Sequence, residues 1–211
     1  MKIPIAREGY PFIVAGMALT ALAFLFGFKS VGILGALLSL AFIGFFRDPE
    51  RAPPQGEGLI VAPADGRVVA VEKRAGGESM SDGETKISIF MSPLDVHVNR
   101  SPVRGQVTAR VYSPGKFLAA YKDTASVENE QNALAIRDPE GRMLRMVQIA
   151  GVLARRIVCY VNEGDSVALG QRIGIIMFGS RVDVFLPPSA RAEVSKGSRV
   201  TGGRTIIGRF T

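Results

Sequence analysis

Two uncharged apolar stretches open the chain, Phe12–Phe28 and Val31–Phe46, with only Lys29-Ser30 between them. Both are apolar all round, whereas a helix on the surface of a soluble protein carries a one-sided stripe. The pattern predicts two helices joined by a tight turn, an N-terminal hydrophobic α-hairpin over residues 1–47. At about 1.5 Å per residue each run reaches about 25 Å, short of the roughly 30 Å hydrocarbon core of a bilayer. The hairpin therefore either spans a locally thinned membrane or dips into one leaflet. Lys2, Arg7 and Ala21-Leu22-Ala23 have the look of a signal peptide. The cleavage-like triplet lies inside the apolar run, however, and a second run follows at once, which reads as an uncleaved anchor. Lys2 and Arg7 precede the hairpin and Arg47 and Arg51 follow it, which puts both ends on the cytoplasmic face of the cell (inner) membrane. Lys29 at the tip argues the other way.

The periodicity changes after Asp48-Pro-Glu-Arg-Ala-Pro-Pro-Gln-Gly-Glu-Gly58, a linker rich in Pro, Gly and charge. Beyond it, pairs such as Val69/Val71 and Ile87/Ile89 alternate with polar or small residues, as half-buried strands do. Short strands are expected at Leu59–Val61, Arg67–Lys73, Lys86–Met91, Gly105–Tyr112, Ala133–Arg137, Met143–Ala150, Ile173–Phe178, Val182–Leu186 and Arg204–Phe210. Asp138-Pro-Glu-Gly141 is a turn between two of them, a hairpin. Val152–Val161 fits a short helix or a strand equally well. Residues 59–211 have the size of one domain. Within it, Val161-Asn-Glu-Gly-Asp-Ser-Val, a second turn at Gly170 and a run ending at Ile176 have the spacing of a half-repeat of biotinyl/lipoyl-type folds. Val61-Ala-Pro-Ala-Asp-Gly-Arg-Val68 resembles another piece of that architecture. The expected fold is mainly β: a barrel-sandwich-like body behind the α-hairpin. A carrier domain of that type needs a modified Lys at a hairpin tip, and none is found.

Composition narrows the function. The 211 residues are 47% apolar, too rich for a disordered chain, and mean hydropathy is positive at +0.21. One Cys excludes an intramolecular disulfide framework. With one His as well, no zinc site can be built from several thiolates or imidazoles, and no metal is expected. The net charge is +7, of which residues 52–211 carry +5, a mild attraction to anionic lipid headgroups. No Arg/aromatic interleaving or DNA-reading helix points to nucleic acid.

Asp65, His97 and Ser180 are informative together. Each has a bland reading: Asp65 in Pro-Ala-Asp-Gly as a turn residue, His97 as a structural or surface histidine, Ser180 after Gly179 as a turn between strands. As a set they supply a nucleophile, a base and an orienting carboxylate. His97 is the one side chain whose ordinary pKa, about 6.5, suits proton transfer near neutrality. Gly179 leaves its own carbonyl open to attack and tolerates a strained backbone. Attack by Ser180 Oγ on that carbonyl turns the peptide bond into an ester. β-Elimination then cuts the chain and leaves dehydroalanine, which hydrolyses to a pyruvoyl group, an electrophile no ordinary side chain supplies.

Seven segments run in order across the body: Phe46-Arg-Asp-Pro-Glu-Arg51, Val61-Ala-Pro-Ala-Asp-Gly-Arg67, Met91-Ser-Pro-Leu-Asp-Val-His97, Ser113-Pro-Gly-Lys-Phe117, Glu128-Asn-Glu-Gln-Asn132, Gln148-Ile-Ala-Gly151 with Ala154-Arg-Arg156, and Met177-Phe-Gly-Ser-Arg-Val-Asp183. Through them the chain resembles phosphatidylserine decarboxylase in its short, bacterial and archaeal-like form. The resemblance implies self-cleavage at Gly179-Ser180, giving a β chain (1–179) and an α chain (180–211) that stay together as a heterodimer, with further homo-oligomerisation left open. It also implies a covalent pyruvoyl cofactor from Ser180, a Schiff base with phosphatidylserine in the membrane, and release of CO2 with formation of the ethanolamine lipid. Asp65 and His97 match family positions used in maturation and catalysis, and His97 is the expected general acid. Arg155, Arg156 and Arg181 are candidates for the substrate phosphate. Two departures stand out. Phe-Gly-Ser-Arg replaces the Leu-Gly-Ser-Thr of long forms at the cut, and Arg100 stands where they carry a second His, so a division of labour between two histidines does not transfer.

Two rivals remain at this stage. One is a non-enzymatic, membrane-anchored barrel-sandwich adaptor, which explains the anchor but gives Ser180, His97 and Asp65 no purpose. The other is a pyruvoyl decarboxylase of another serine-headed lipid, such as archaetidylserine. A lysostaphin-like zinc peptidase fails for want of histidines.

Overall fold

The structure, a computed structural model, describes residues 4–73, 83–116, 118, 128–151, 156–177 and 180–211. The chain divides into two units, Met1–Glu50 and Arg51–Thr211.

In the first unit a 3-10 turn (Arg7–Gly9) leads into α1 (Tyr10–Leu25), and α2 follows at Lys29–Phe45. Gly27, at φ 79°, makes the reversal between them. The helices meet through small residues. A Cβ on Gly16 would lie 2.6 Å from Ser39 Oγ, and one on Gly35 2.6 Å from Thr20 Oγ1. Close packing of this kind joins helices where no hydrophobic effect drives them together. Thr20 and Ser39 donate their hydroxyls to the Gly16 and Gly35 carbonyls one turn back, at 2.8 and 2.9 Å, so neither needs water. The two ends are zipped by Ala6 N to Phe46 O and Asp48 N to Pro4 O, both 2.7 Å. Leu19, Leu25, Phe26, Leu37 and Leu40 are exposed, a surface that fits lipid better than water. Arg7–Leu25 is long and apolar enough to cross a membrane by length and composition, and Lys29–Phe45 is a shorter apolar helix.

The second unit is built of strands: β1 (Leu59–Val61), β2 (Gly66–Lys73), β3 (Thr85–Met91), β4 (Val98–Arg100), β5 (Gly105–Ser113), β6 (Gln131–Arg137), β7 (Met143–Ala150), β8 (Ile157–Cys159), β9 (Ser166–Val167), β10 (Arg172–Ile176), β11 (Ser180–Leu186), β12 (Ala190–Ala192), β13 (Arg199–Val200) and β14 (Ile206–Phe210). An eight-stranded sheet has the order β13-β2-β3-β11-β7-β6-β5-β9, and two three-stranded sheets have the orders β1-β14-β12 and β4-β10-β8. Every pairing in them is antiparallel. Alternation sends Ile87, Ile89 and Met91 of β3, Val182, Val184 and Leu186 of β11, and Leu144 and Met146 of β7 to one face of the large sheet. Ile60 of β1, Ile207 of β14, and Ile173 and Ile176 of β10 close over the same core. The protein is thus mainly β, with a sandwich-like body and an apolar helix pair, as the sequence pattern indicates.

Gly66 is required where β2 starts. Its φ is 149°, and a Cβ there would lie 2.1 Å from the Phe90 carbonyl of β3. Val152–Val161, left open between helix and strand, contains β8, and residues 152–155 lie outside the described ones. The expected strand at Ile173–Phe178 ends at Ile176, with Phe178 also outside them. β4, β9, β12 and β13, two or three residues each, have no counterpart among the expected strands.

The β6–β7 turn is held by Asp138. Its carboxylate accepts from Arg142 N at 2.8 Å and from the Arg142 guanidinium at 2.6 Å, and Gly141 takes φ 82°. The guanidinium also lies 3.9 Å above the Phe210 ring, tying the turn to β14. Burial pushes the Asp138 carboxyl up, but the Arg142 hydrogen bonds and charge outweigh it and hold the group below its ordinary value. A carboxyl depressed by folding stabilises the protein above its unfolded pKa, and that contribution fades as pH falls through the folded value. Asp138→Ala therefore costs about 2 kcal/mol at pH 7. Urea unfolding followed at pH 7 and again below about pH 3 checks this: the gap between mutant and parent closes in acid.

Candidate active site

Ser180 is the first residue of β11, an inner strand paired on both sides, opposite Met91 of β3 and Ala150 of β7. It is fully buried. Its parity with Val182 and Val184 places its side chain on the core face, where Oγ donates to Met91 Sδ at 3.9 Å. A thioether is a weak acceptor, so the hydroxyl is loosely held. Gly179 lies outside the described residues.

His97 ends the loop between β3 and β4 and is also fully buried. Ile176, at the end of the strand that leads toward Ser180, donates its N–H to the His97 carbonyl at 3.4 Å. The ring's Nδ1 lies 2.9 Å from the Asp95 carbonyl oxygen. A carbonyl only accepts, so Nδ1 carries a proton and Nε2 is the nitrogen at which the ring gains or gives up one. Asp95 itself is fixed: its carboxylate accepts from Ser92 N (2.8 Å), Ser92 Oγ (2.7 Å) and Arg199 (2.7 Å). Asp95 is a residue the sequence reading passed over. The signal was the Ser92-Pro-Leu-Asp95 spacing, which lets a carboxylate cap its own loop.

Asp65 sits between β1 and β2 and takes part in a different arrangement. Its carboxylate receives the Arg51 guanidinium on both oxygens, and Gly202 N donates to it at 2.8 Å. Arg51 also donates to the Gly202 carbonyl at 2.7 Å. The ring of His97 is thus oriented by Asp95, while the Asp65 carboxylate fastens the chain's entry into the body to the loop before β14. The link from Asp65's turn toward the histidine runs through the backbone, Arg100 N to Pro63 O at 2.8 Å. Arg100, at the position where a second histidine was considered, is buried, donates to the Gly170 carbonyl at 3.1 Å and lies against Gly203, where a Cβ would come within 2.7 Å of its Cδ.

Among the basic candidates, Arg181 points to the face opposite Ser180, is 2% exposed and bonds bidentately to Asp183 at 2.7 and 2.8 Å. That engagement ties it to its own strand. Arg156 is exposed just before β8, and Arg155 lies outside the described residues. Asn129, from the Glu128–Asn132 segment, donates to the Ala150 carbonyl at 2.7 Å and so braces the strand beside Ser180.

The sequence model of the family described as Phosphatidylserine decarboxylase matches residues 38–208. The chain is 46% identical over 207 residues to "Phosphatidylserine decarboxylase proenzyme" of Syntrophus aciditrophicus (strain SB), covering 98% of this chain and 97% of that protein. It is 47% identical over 211 residues to the protein so named of Cereibacter sphaeroides (99% and 90% covered), and 49% over 207 residues to that of Nitrosomonas eutropha (98% and 95%). These likenesses place the chain among the decarboxylases, lyases that break a carbon–carbon bond with loss of CO2. It belongs to the phosphatidylserine decarboxylase family.

Proposed function

We propose that this chain converts phosphatidylserine to phosphatidylethanolamine and CO2 by means of a pyruvoyl group that it makes from Ser180 when it cuts itself between Gly179 and Ser180. The observation that carries this reading is a fully buried serine at the head of an inner strand, its hydroxyl held among the described residues by a sulfur, with the single histidine also fully buried and bonded through its carbonyl to Ile176 on the strand that leads to it. The site fits such a group, because a carbonyl built at residue 180 is shielded from bulk water.

In maturation, Ser180 Oγ adds to the Gly179 carbonyl carbon and its proton passes to His97 Nε2. The C–N bond breaks, the nitrogen takes up that proton, and an ester remains. Loss of the residue-180 Cα proton then breaks the Oγ–Cβ bond, and Gly179 leaves as the carboxylate end of the β chain. Water replaces the freed nitrogen, which departs as ammonia. The pyruvoyl group, once formed, supplies a carbonyl that binds the substrate amine and accepts the electron pair released with CO2. His97 returns a proton to the substrate α-carbon. Arg156, and Arg155 beside it in sequence, bind the phosphate of the headgroup. Asp65 supports maturation through the loop it fastens. The α-hairpin holds the body at the cytoplasmic face of the membrane, where the lipid substrate resides.

The α chain stays bound after the cut. β11 keeps its full register with β3, from Ser180↔Met91 to Leu186↔Thr85, and with β7 on the other side. Intact-mass analysis of the purified protein tests the reading. Two chains are expected, the smaller beginning at residue 180 without a free amino terminus. A single intact chain that decarboxylates phosphatidylserine at full rate overturns it.

A further inference from the structure

A line of buried amides crosses the core face of the body and ends at the sulfur of Met91, the residue paired opposite Ser180. At its outer end exposed Arg110 donates Nε to Asn132 Oδ1 at 3.4 Å, while its Nη1 bonds Asn162 Oδ1 at 2.9 Å. Asn132 Nδ2 then donates to Gln148 Oε1 at 2.8 Å, and Gln148 Nε2 donates to Asn99 Oδ1 at 2.7 Å. Asn99 Nδ2 points at Met91 Sδ, 3.8 Å away, the same sulfur that receives the Ser180 hydroxyl at 3.9 Å. Asn99, Gln148 and Asn132 are buried to 1% exposure or less. Gly174 makes room for the line: a Cβ there would come within 3.1 Å of Gln148 Nε2.

The direction of this line is fixed by chemistry. A guanidinium has no acceptor, so Asn132 must turn its oxygen to Arg110 and its NH2 inward. Each amide then orients the next, and the last one turns an N–H to the Met91 sulfur that the serine hydroxyl also meets. Among the described residues that N–H meets a thioether, and two donors converge on one weak acceptor. A buried amide donor so poorly matched in the resting state gains most when a charged oxygen forms nearby, since charge-assisted bonds are about twice as strong as neutral ones. An interaction that strengthens only as the reaction proceeds is the kind that accelerates it.

We infer that Asn99 donates a hydrogen bond to the oxygen that gains charge when Ser180 attacks the preceding carbonyl, and that Gln148, Asn132 and Arg110 are positioning residues that keep its N–H turned inward. This assignment rests on the self-cleavage reading. The test follows the appearance of the two chains over time after cell-free synthesis of the full-length protein. Asn99→Ala slows cutting about a hundredfold, in the range for loss of one oxyanion donor. Asn99→Asp keeps the size and the bond from Gln148 but replaces NH2 by oxygen, and it slows cutting at least tenfold, which covers the case of an alanine variant that fails to fold. Gln148→Met, which no longer orients Asn99, also slows cutting about tenfold. The double variant Asn99→Ala/Gln148→Met cuts no more slowly than Asn99→Ala alone, because the glutamine acts through the asparagine. A merely structural role would lower the melting temperature and leave the cutting rate of the folded fraction unchanged. Asn99→Asp cutting at or above the parental rate, or the two single effects multiplying in the double variant, overturns the assignment. Ser180→Ala in the same series separates the layers: if it still cuts, the self-cleavage reading fails, and if it stays whole while the Asn99 variants cut normally, only the Asn99 assignment fails.

Discussion

Replacing Ser180 by alanine leaves one uncut chain of 22.6 kDa and abolishes decarboxylation. The effect is total because, in the proposed cut, the hydroxyl is both the nucleophile and the leaving oxygen of the elimination. The fold survives the change. The side chain contributes one O–H to sulfur contact, worth about 1 kcal/mol or less, and alanine suits a fully buried position. The melting temperature of the uncut variant therefore falls by a few degrees at most, while denaturing electrophoresis shows a single band and no CO2 is released from serine lipid. A cut alanine variant would remove Ser180 from the chemistry altogether.

Arg51→Ala produces a large loss of stability in the body. Arg51 and Asp65 keep only 7% and 16% of their side chains exposed. Removing the guanidinium strands a carboxylate whose remaining donor among the described residues is the Gly202 N–H. Breaking one partner of a buried pair costs about 3–5 kcal/mol, a large share of a typical domain's stability. Replacing both at once, as Arg51→Met/Asp65→Leu, recovers much of it, since no buried charge is left alone. Denaturant midpoints of the three variants check this. Comparing the cutting rate of the folded fraction then shows what Asp65 adds beyond holding its turn. If Arg51→Ala is as stable as the parent, the pair does not fasten the entry to the body.

The elements that were readable in advance are those whose own residues carry the instruction. β7 lies where the alternation of Met143–Ala150 puts it, and the hairpin follows from two stretches without charge. β4, β9, β12 and β13 are two or three residues long and exist because distant strands pair with them, which no local pattern announces. The same holds for the site. His97 was visible as the single histidine of the chain, and Ser180 through the Gly that precedes it. Asp95 was hidden inside a loop motif, and the amide line through Asn99, Gln148 and Asn132 joins three strands that only the sheets bring together. Arg51 has a partner that local reading does not announce. It was counted among the charges flanking the hairpin, yet its guanidinium is sunk in the body against Asp65 and the Gly202 carbonyl.

β11 is sandwiched between β3 and β7, and the proposed cut falls at its first residue. Before the break, folding delivers this strand from the same polymer as its neighbours. Afterwards a denatured molecule must recapture a separate short polypeptide into an interior slot, an encounter that dilution disfavours. A cut at that residue would leave a protein whose survival rests on never opening, its lifetime a matter of rate and no longer of equilibrium.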